Sequence, residues 1–322
     1  MKPIKFQPLL FPKIWGGEKI AALKQYKNAS AKVGESFEVS ALKGECTPEI
    51  EGDDHGASLS ELIEKYGAEL VGENVFQKYG TEFPILIKFI DAREPLSIQV
   101  HPDDEMAQRE GMPCGKSEMW YVVQADEGAS LYAGFSKNVN PDDYEKLLND
   151  GTLTDSVNKY ETRAGDAFYI PAGTIHSIGA GNLIIEVQQT SGATYRVYDF
   201  DRKDNRGKKR ELHVEKARQA LNFNARNDFR IDVPKEKNQP VVVKKCEYFN
   251  THVMHLDKVL TRDYSTIDSF VILIAFEGTA TLLDSEGNTI TMQQGESVLY
   301  PACNESIRFT PSGKFSCFET YI

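Results

Sequence analysis

Long hydrophobic runs are missing from this chain: no stretch of about 18 apolar residues occurs, which argues against a membrane-spanning helix. The opening residues, MKPIKFQPLLFPKIWGG, have neither a clean apolar h-region nor a small-residue cleavage site, so no signal peptide is expected. Cysteine is scarce. Cys46, Cys114, Cys246, Cys303 and Cys317 are odd in number, widely scattered and without a CxxC pair, which fits free thiols in a reducing compartment rather than a disulfide frame. Basic charge is outweighed, with 37 Lys and Arg against 48 Asp and Glu and a net charge of −11, which argues against general nucleic-acid affinity. The expectation is a cytoplasmic protein with neither membrane nor nucleic acid as partner.

What remains is an ordinary globular composition, 40% hydrophobic and 26% charged over 322 residues, enough for two domains or one large all-β body. VGESFEVSAL alternates as a strand does, with Phe37 and Val39 on one face and Glu38 and Ser40 on the other. Ser58 with Glu61 forms a capping-box signature. Leu59, Leu62, Ile63 and Tyr66 follow at helical spacing, predicting a helix from Ser58 to about Tyr79. FPILIKFIDA (83–92) reads as a buried strand with one lysine. MWYVVQA and ASLYAGF read as strands joined at Asp126-Glu127-Gly128. A polar helical insert is expected at about 141–158, a solvated basic loop at 202–210 and a short helix at 213–222. The Pro-bearing polar stretch 233–240 is the candidate domain boundary.

Beyond it the strand logic repeats. AGDAFYIPA (164–172) aligns with QGESVLYPA (294–302), and YVVQADEGASL (121–131) with VILIAFEGTAT (271–281); both copies read as short strands joined by Gly turns, which suggests two similar β-barrels or sandwiches. In the second copy Ser306 stands where the first has His176, and Asp268 stands opposite Glu118. A second metal site, even with His252 and His255 nearby, is therefore not expected.

Chemistry concentrates between Ser97 and Glu118 and again at Pro171–His176. In SIQVH the strand period of two turns Gln99 and His101 to one face. With Glu118 and His176 they supply an amide oxygen, two imidazoles and a carboxylate. That donor set suits a first-row metal, most simply zinc with an open position.

At these residues the chain resembles the type I mannose-6-phosphate isomerases, or phosphomannose isomerases, double-barrel cupin metalloenzymes. The resemblance is carried by SIQVHPDD, GKSEMW, YIPAGTIHSIG, IIEVQQTSGATYRVYDFDR and ELHVEKA, and it extends from FPKIWGG to QGESVLYPA. It implies a mainly β fold of two cupin-like (jelly-roll) barrels with a few short helices. Residues 1–235 would be a metal-binding catalytic domain with helical inserts, and 236–322 a degenerate C-terminal cupin-like domain. It implies one Zn2+ per chain held by Gln99, His101, Glu118 and His176, and catalytic roles for Arg196, Lys116 and Glu186. Ser97 and Arg202 would face the substrate phosphate. One departure stands out: where the family usually has Asp after the Ser of QQxS, this chain has Gly192.

The implied reaction interconverts mannose 6-phosphate and fructose 6-phosphate by moving a proton between adjacent carbons through an enediol-type intermediate. A metal would polarise the substrate oxygens, and Arg196 would stabilise the developing oxyanion. Glu186, Lys116 or a metal-bound water could carry the proton. The partner would be a small-molecule sugar phosphate, and the protein a monomer or homodimer. Two alternatives stay open at this stage, an iron cupin oxygenase and a non-catalytic sugar-phosphate-binding cupin, the latter resting on Gly192.

Overall fold

The computed structural model describes residues 1–26, 32–51, 54–203 and 207–322. Three principal sheets are layered. A five-stranded sheet runs in the order Val157–Glu161, Ser130–Phe135, His176–Ile178, Ile98–Val100, Tyr195–Tyr198. Facing it is a seven-stranded sheet built around Glu118–Ala125, Asn182–Gln189 and Ile85–Ala92, and behind that stands a nine-stranded sheet supplied mostly by the C-terminal part of the chain.

The middle sheet is buried on both faces, so its strands read as nearly continuous apolar runs. Period-two alternation nevertheless divides each of them. In Asn182–Gln189, Ile184 joins the core inside the first barrel together with Trp120, Leu131 and Phe168. Leu183, Ile185 and Val187 point the other way and pack with Ile272, Ile274 and Phe318 of the nine-stranded sheet. The second barrel has its own core, built from residues such as Leu273, Leu282, Met292 and Phe309. The mainly β, two-barrel architecture expected from the sequence is the one observed.

Several local expectations change. The helix expected from Ser58 is three, Leu59–Tyr66, Ala68–Val71 and Glu73–Tyr79. The Ser58–Glu61 capping box is present. The breaks fall at Gly67 and Gly72, both with positive φ, and a Cβ on Gly72 would lie 2.5 Å from the Asp268 carbonyl oxygen. The 141–158 insert holds one short helix, Tyr144–Asn149, flanked by 3-10 turns, and the strand Val157–Glu161 begins before its end.

In the second copy Gly278 does not make a turn. Val271–Asp284 continues through it as one 14-residue strand, and its pairing with Ser306–Tyr321 shifts register on either side of Gly278. A bulge therefore replaces the hairpin. The N-terminal strand Ile4–Phe6 pairs with Ser297–Tyr300 and Glu49–Glu51, so the first fifty residues contribute to the nine-stranded sheet.

Candidate active site

Two cross-strand rows face each other inside the first barrel. On the five-stranded sheet, Gln99 is paired with His176 on one side and Arg196 on the other. On the seven-stranded sheet, Glu186 is paired with Trp120 on one side and Lys88 on the other. The rows meet across the interior. The Trp120 ring meets His176 edge-on with centroids 5.4 Å apart, and within its own row Trp120 Nε1 donates to Glu186 Oε2 at 2.8 Å.

His101, Glu118 and His176 come together, each about 1% exposed or less, with one potential ligand atom from each lying within 4.8 Å of the others. Backbone carbonyls orient both rings. His101 Nδ1 lies 2.7 Å from the Ala193 oxygen and His176 Nδ1 lies 2.8 Å from the Thr174 oxygen. A carbonyl only accepts, so Nδ1 carries the proton in each ring and the Nε2 lone pairs turn inward. Those Nε2 atoms stand 3.5 and 3.4 Å from the two oxygens of Glu118. Burial first, and then the Lys116 charge, hold His101 neutral down to about pH 3; burial also lowers the pKa of His176.

Glu118 Oε1 is buried with no hydrogen-bond partner, an expensive arrangement for a carboxylate oxygen. Two neutral imidazole nitrogens beside a carboxylate with one orphaned oxygen fit a divalent metal. Gln99 adjoins the trio, its Nε2 3.3 Å from His176 Nε2 and its Oε1 accepting from Ser97 Oγ at 3.3 Å. Rotating the amide by half a turn would present its oxygen to the cluster instead.

Lys116 is buried beside the trio. Its ammonium donates to Glu118 Oε2, approaches His101 Nε2 at 3.2 Å and lies 3.6 Å from Glu186 Oε1. Burial disfavours both charges, yet Lys116 keeps Glu118 well below the ordinary carboxylate range, and Glu118 and Glu186 raise Lys116. Glu186 itself is pushed upward by burial and by Glu118, against the pull of Lys116 and Lys88.

Gln99, Lys116, Trp120 and Glu186 border a cavity of about 350 Å³ that also takes in Ser97, Gly192, Arg196 and Arg210. Arg196 Nη1 donates to the Glu211 carbonyl at 2.8 Å while its Nε is buried without a partner. Burial and the nearby Arg210 charge lower its pKa. Arg202 is turned to the Pro95 carbonyl and to Asp199, and does not line the cavity. Arg210, assigned from the sequence to the solvated loop, does line it, with Nε 2.7 Å from Asp199 Oδ2. A Cβ on Gly192 would meet only Leu42, at 3.7 Å.

Lys88 and Glu35 also line the cavity. A single lysine in a mostly apolar, fully buried strand was the signal available for Lys88. In the second barrel Asp268 accepts from the Glu73 and Asn74 N–H groups at 2.8 Å each, capping a helix of the first. His252 faces Glu319, which Arg262 and Tyr264 already bind. Among the described residues no second metal-ligand cluster of His, Cys, Asp and Glu forms.

Comparison with known proteins points to one family. A family model described as "Phosphomannose isomerase type I, catalytic domain" matches residues 4–160. A mannose-6-phosphate isomerase of Streptococcus mutans is 38% identical over 216 residues, covering 67% of this chain and 66% of its own. One from Bacillus subtilis is 31% identical over 304 residues, 93% of each chain. The crystal structure of a Bacillus subtilis mannose 6-phosphate isomerase superposes with a TM-score of 0.90 at 30% identity, over 100% of both chains.

Proposed function

Because this chain belongs to the type I phosphomannose isomerase family, we propose that it is a metal-dependent aldose–ketose isomerase interconverting mannose 6-phosphate and fructose 6-phosphate. The observation that carries this reading is that Gln99 and Lys116, which touch the buried metal-ligand trio, line one cavity with Glu186 and the Arg196 and Arg210 cations. We assign His101, Glu118 and His176 as metal ligands, with Gln99 as the fourth, and zinc as the metal, one per chain. When bound, the ion polarises the substrate oxygens and orients them.

The chain's own residues supply the rest. Arg196, with an unpartnered buried Nε–H, is suited to the oxyanion that develops as the C–H proton leaves. Glu186 is the stronger candidate for proton carrier. Burial moves it upward toward neutrality, where a general base works best, and the Trp120 indole fixes one of its oxygens. Lys116, held as a cation by two carboxylates, is better suited to steadying negative charge on the substrate. Arg210 and Ser97 would receive the phosphate, with Arg202 acting through Asp199.

On this proposal residues 1–235 carry the chemistry and 236–322 support it. Among the described residues no helix is long and apolar enough to cross a membrane. Five free cysteines support a cytoplasmic setting, and the working unit is taken as a monomer or homodimer.

A coupled assay of mannose 6-phosphate conversion tests the reading on chelator-stripped protein, zinc-reloaded protein and Arg196→Ala. Turnover that needs metal and collapses in the variant is the expected result. Folded, metal-loaded protein that binds the sugar phosphate without turnover would overturn it in favour of a binding protein.

A further inference from the structure

The strand Glu118–Ala125 sends Glu118 and Trp120 into the first barrel and Tyr121 and Val123 out of its opposite face. There, between the two barrels, lies a second cavity of about 510 Å³, larger than the one beside the metal ligands. Its size falls within the range of small-molecule sites.

Two aromatic rings and one imidazole stand in its wall. Tyr121 and Phe276 lie with centroids 5.2 Å apart, and His255 meets Phe276 edge-on at 6.0 Å. Polar groups converge on this surface. Ser316 Oγ donates its one proton to Glu277 Oε2 at 2.6 Å, so at 2.9 Å it must accept from His255 Nδ1. That leaves the His255 Nε2 as an unprotonated acceptor. Tyr121 is 4% exposed, lines the cavity, and its hydroxyl makes no hydrogen bond among the described residues. At the mouth Lys237 is engaged with Asp257 at 3.2 Å. Lys235 and Lys314 have no ion-pair partner among the described residues.

We propose that this inter-barrel cavity binds a small organic phosphate with a flat, aromatic body, at a site separate from the isomerase cavity. The ring would lie against the half-buried Phe276, where aromatic faces favour offset or tilted stacking. The phosphate would sit between Lys235 and Lys314. A ligand N–H or O–H would meet His255 Nε2, and a ligand oxygen would accept from the Tyr121 hydroxyl. The class that joins these features is the nucleoside monophosphate.

Titration calorimetry of the full-length chain with adenosine monophosphate, and separately with inorganic phosphate, tests this. The expected result is saturable nucleotide binding that weakens at least tenfold in Lys235→Glu/Lys314→Glu and several-fold in Tyr121→Phe, with inorganic phosphate much weaker. Both lysines are exposed, so the double variant should fold and keep its kcat/KM for mannose 6-phosphate measured without nucleotide. No nucleotide binding at millimolar concentration, or equal binding of inorganic phosphate, would overturn the proposal. So would nucleotide affinity unchanged in the double variant.

Discussion

Glu186 and Lys88 are direct partners across two antiparallel strands, and Lys88 Nζ comes within 3.5 Å of Glu186 Oε1 in the barrel interior. Lys88 opposes the burial and the Glu118 charge that push Glu186 upward. Replacing it with methionine should therefore raise the Glu186 pKa further. If Glu186 must be ionised to take the proton, the acidic limb of the kcat/KM profile will move to higher pH. Glu186→Gln should instead lose about 100–10,000-fold in kcat at every pH. A Lys88→Met profile that overlays the wild type would remove Glu186 from the role of base.

Arg196 and Arg210 border one cavity but should fail differently. Arg196→Ala should lower kcat and kcat/KM together, by about 100–1000-fold, as loss of an oxyanion donor does. Arg210→Ala should raise KM for the sugar phosphate and leave kcat within a few-fold, because a phosphate contact is made equally in ground and transition states. Steady-state kinetics on the two variants separate the cases. The opposite split would exchange the two assignments.

How far the sequence revealed all this depends on whether the information was local. Gln99, His101, Glu118 and His176 announced themselves because strand alternation and short motifs fix which face a side chain takes. Glu186 entered through the family resemblance, and its place in the apolar run LIIEVQ suits a carboxylate that needs a partner. Arg210 was hidden in a basic run that reads as solvent-facing, and only its tertiary bond to Asp199 turns it inward. The Gly278 bulge was hidden for a similar reason: a glycine with positive φ serves a turn or a bulge equally, and pairing with Ser306–Tyr321 decides. Nothing local in Ile4–Phe6 names Ser297–Tyr300 as its neighbour.

Lys116 should matter to stability mainly when the metal is absent. Its ammonium then compensates the buried Glu118, and removing one member of such a pair costs about 3–5 kcal/mol. Lys116→Met should show that loss in urea unfolding of chelated protein. Saturating zinc should recover most of it, because the ion takes over the compensation and adds about 2.7 kcal/mol at a hundred times its Kd. An equal loss with and without zinc would mean that Lys116 acts through packing alone.

Asp199 gives a prediction in pH. Burial opposes its ionisation, but hydrogen bonds and charge from Arg210 and Arg202 hold its pKa below the ordinary 3.8. A carboxyl lowered on folding adds stability that is fully present above its unfolded value and disappears as pH falls through the folded one. Asp199→Asn should therefore be less stable than the wild type at neutral pH, by about 1–3 kcal/mol for the unsatisfied guanidinium groups. The difference should shrink on acidification below about pH 4. Unfolding midpoints of both proteins from pH 7 down to pH 3 check the sign. Because Arg210 would also lose its anchor, KM for the sugar phosphate should rise in the same variant. A stability gap that stays constant with pH would mean that the carboxylate charge is not what holds the two arginines.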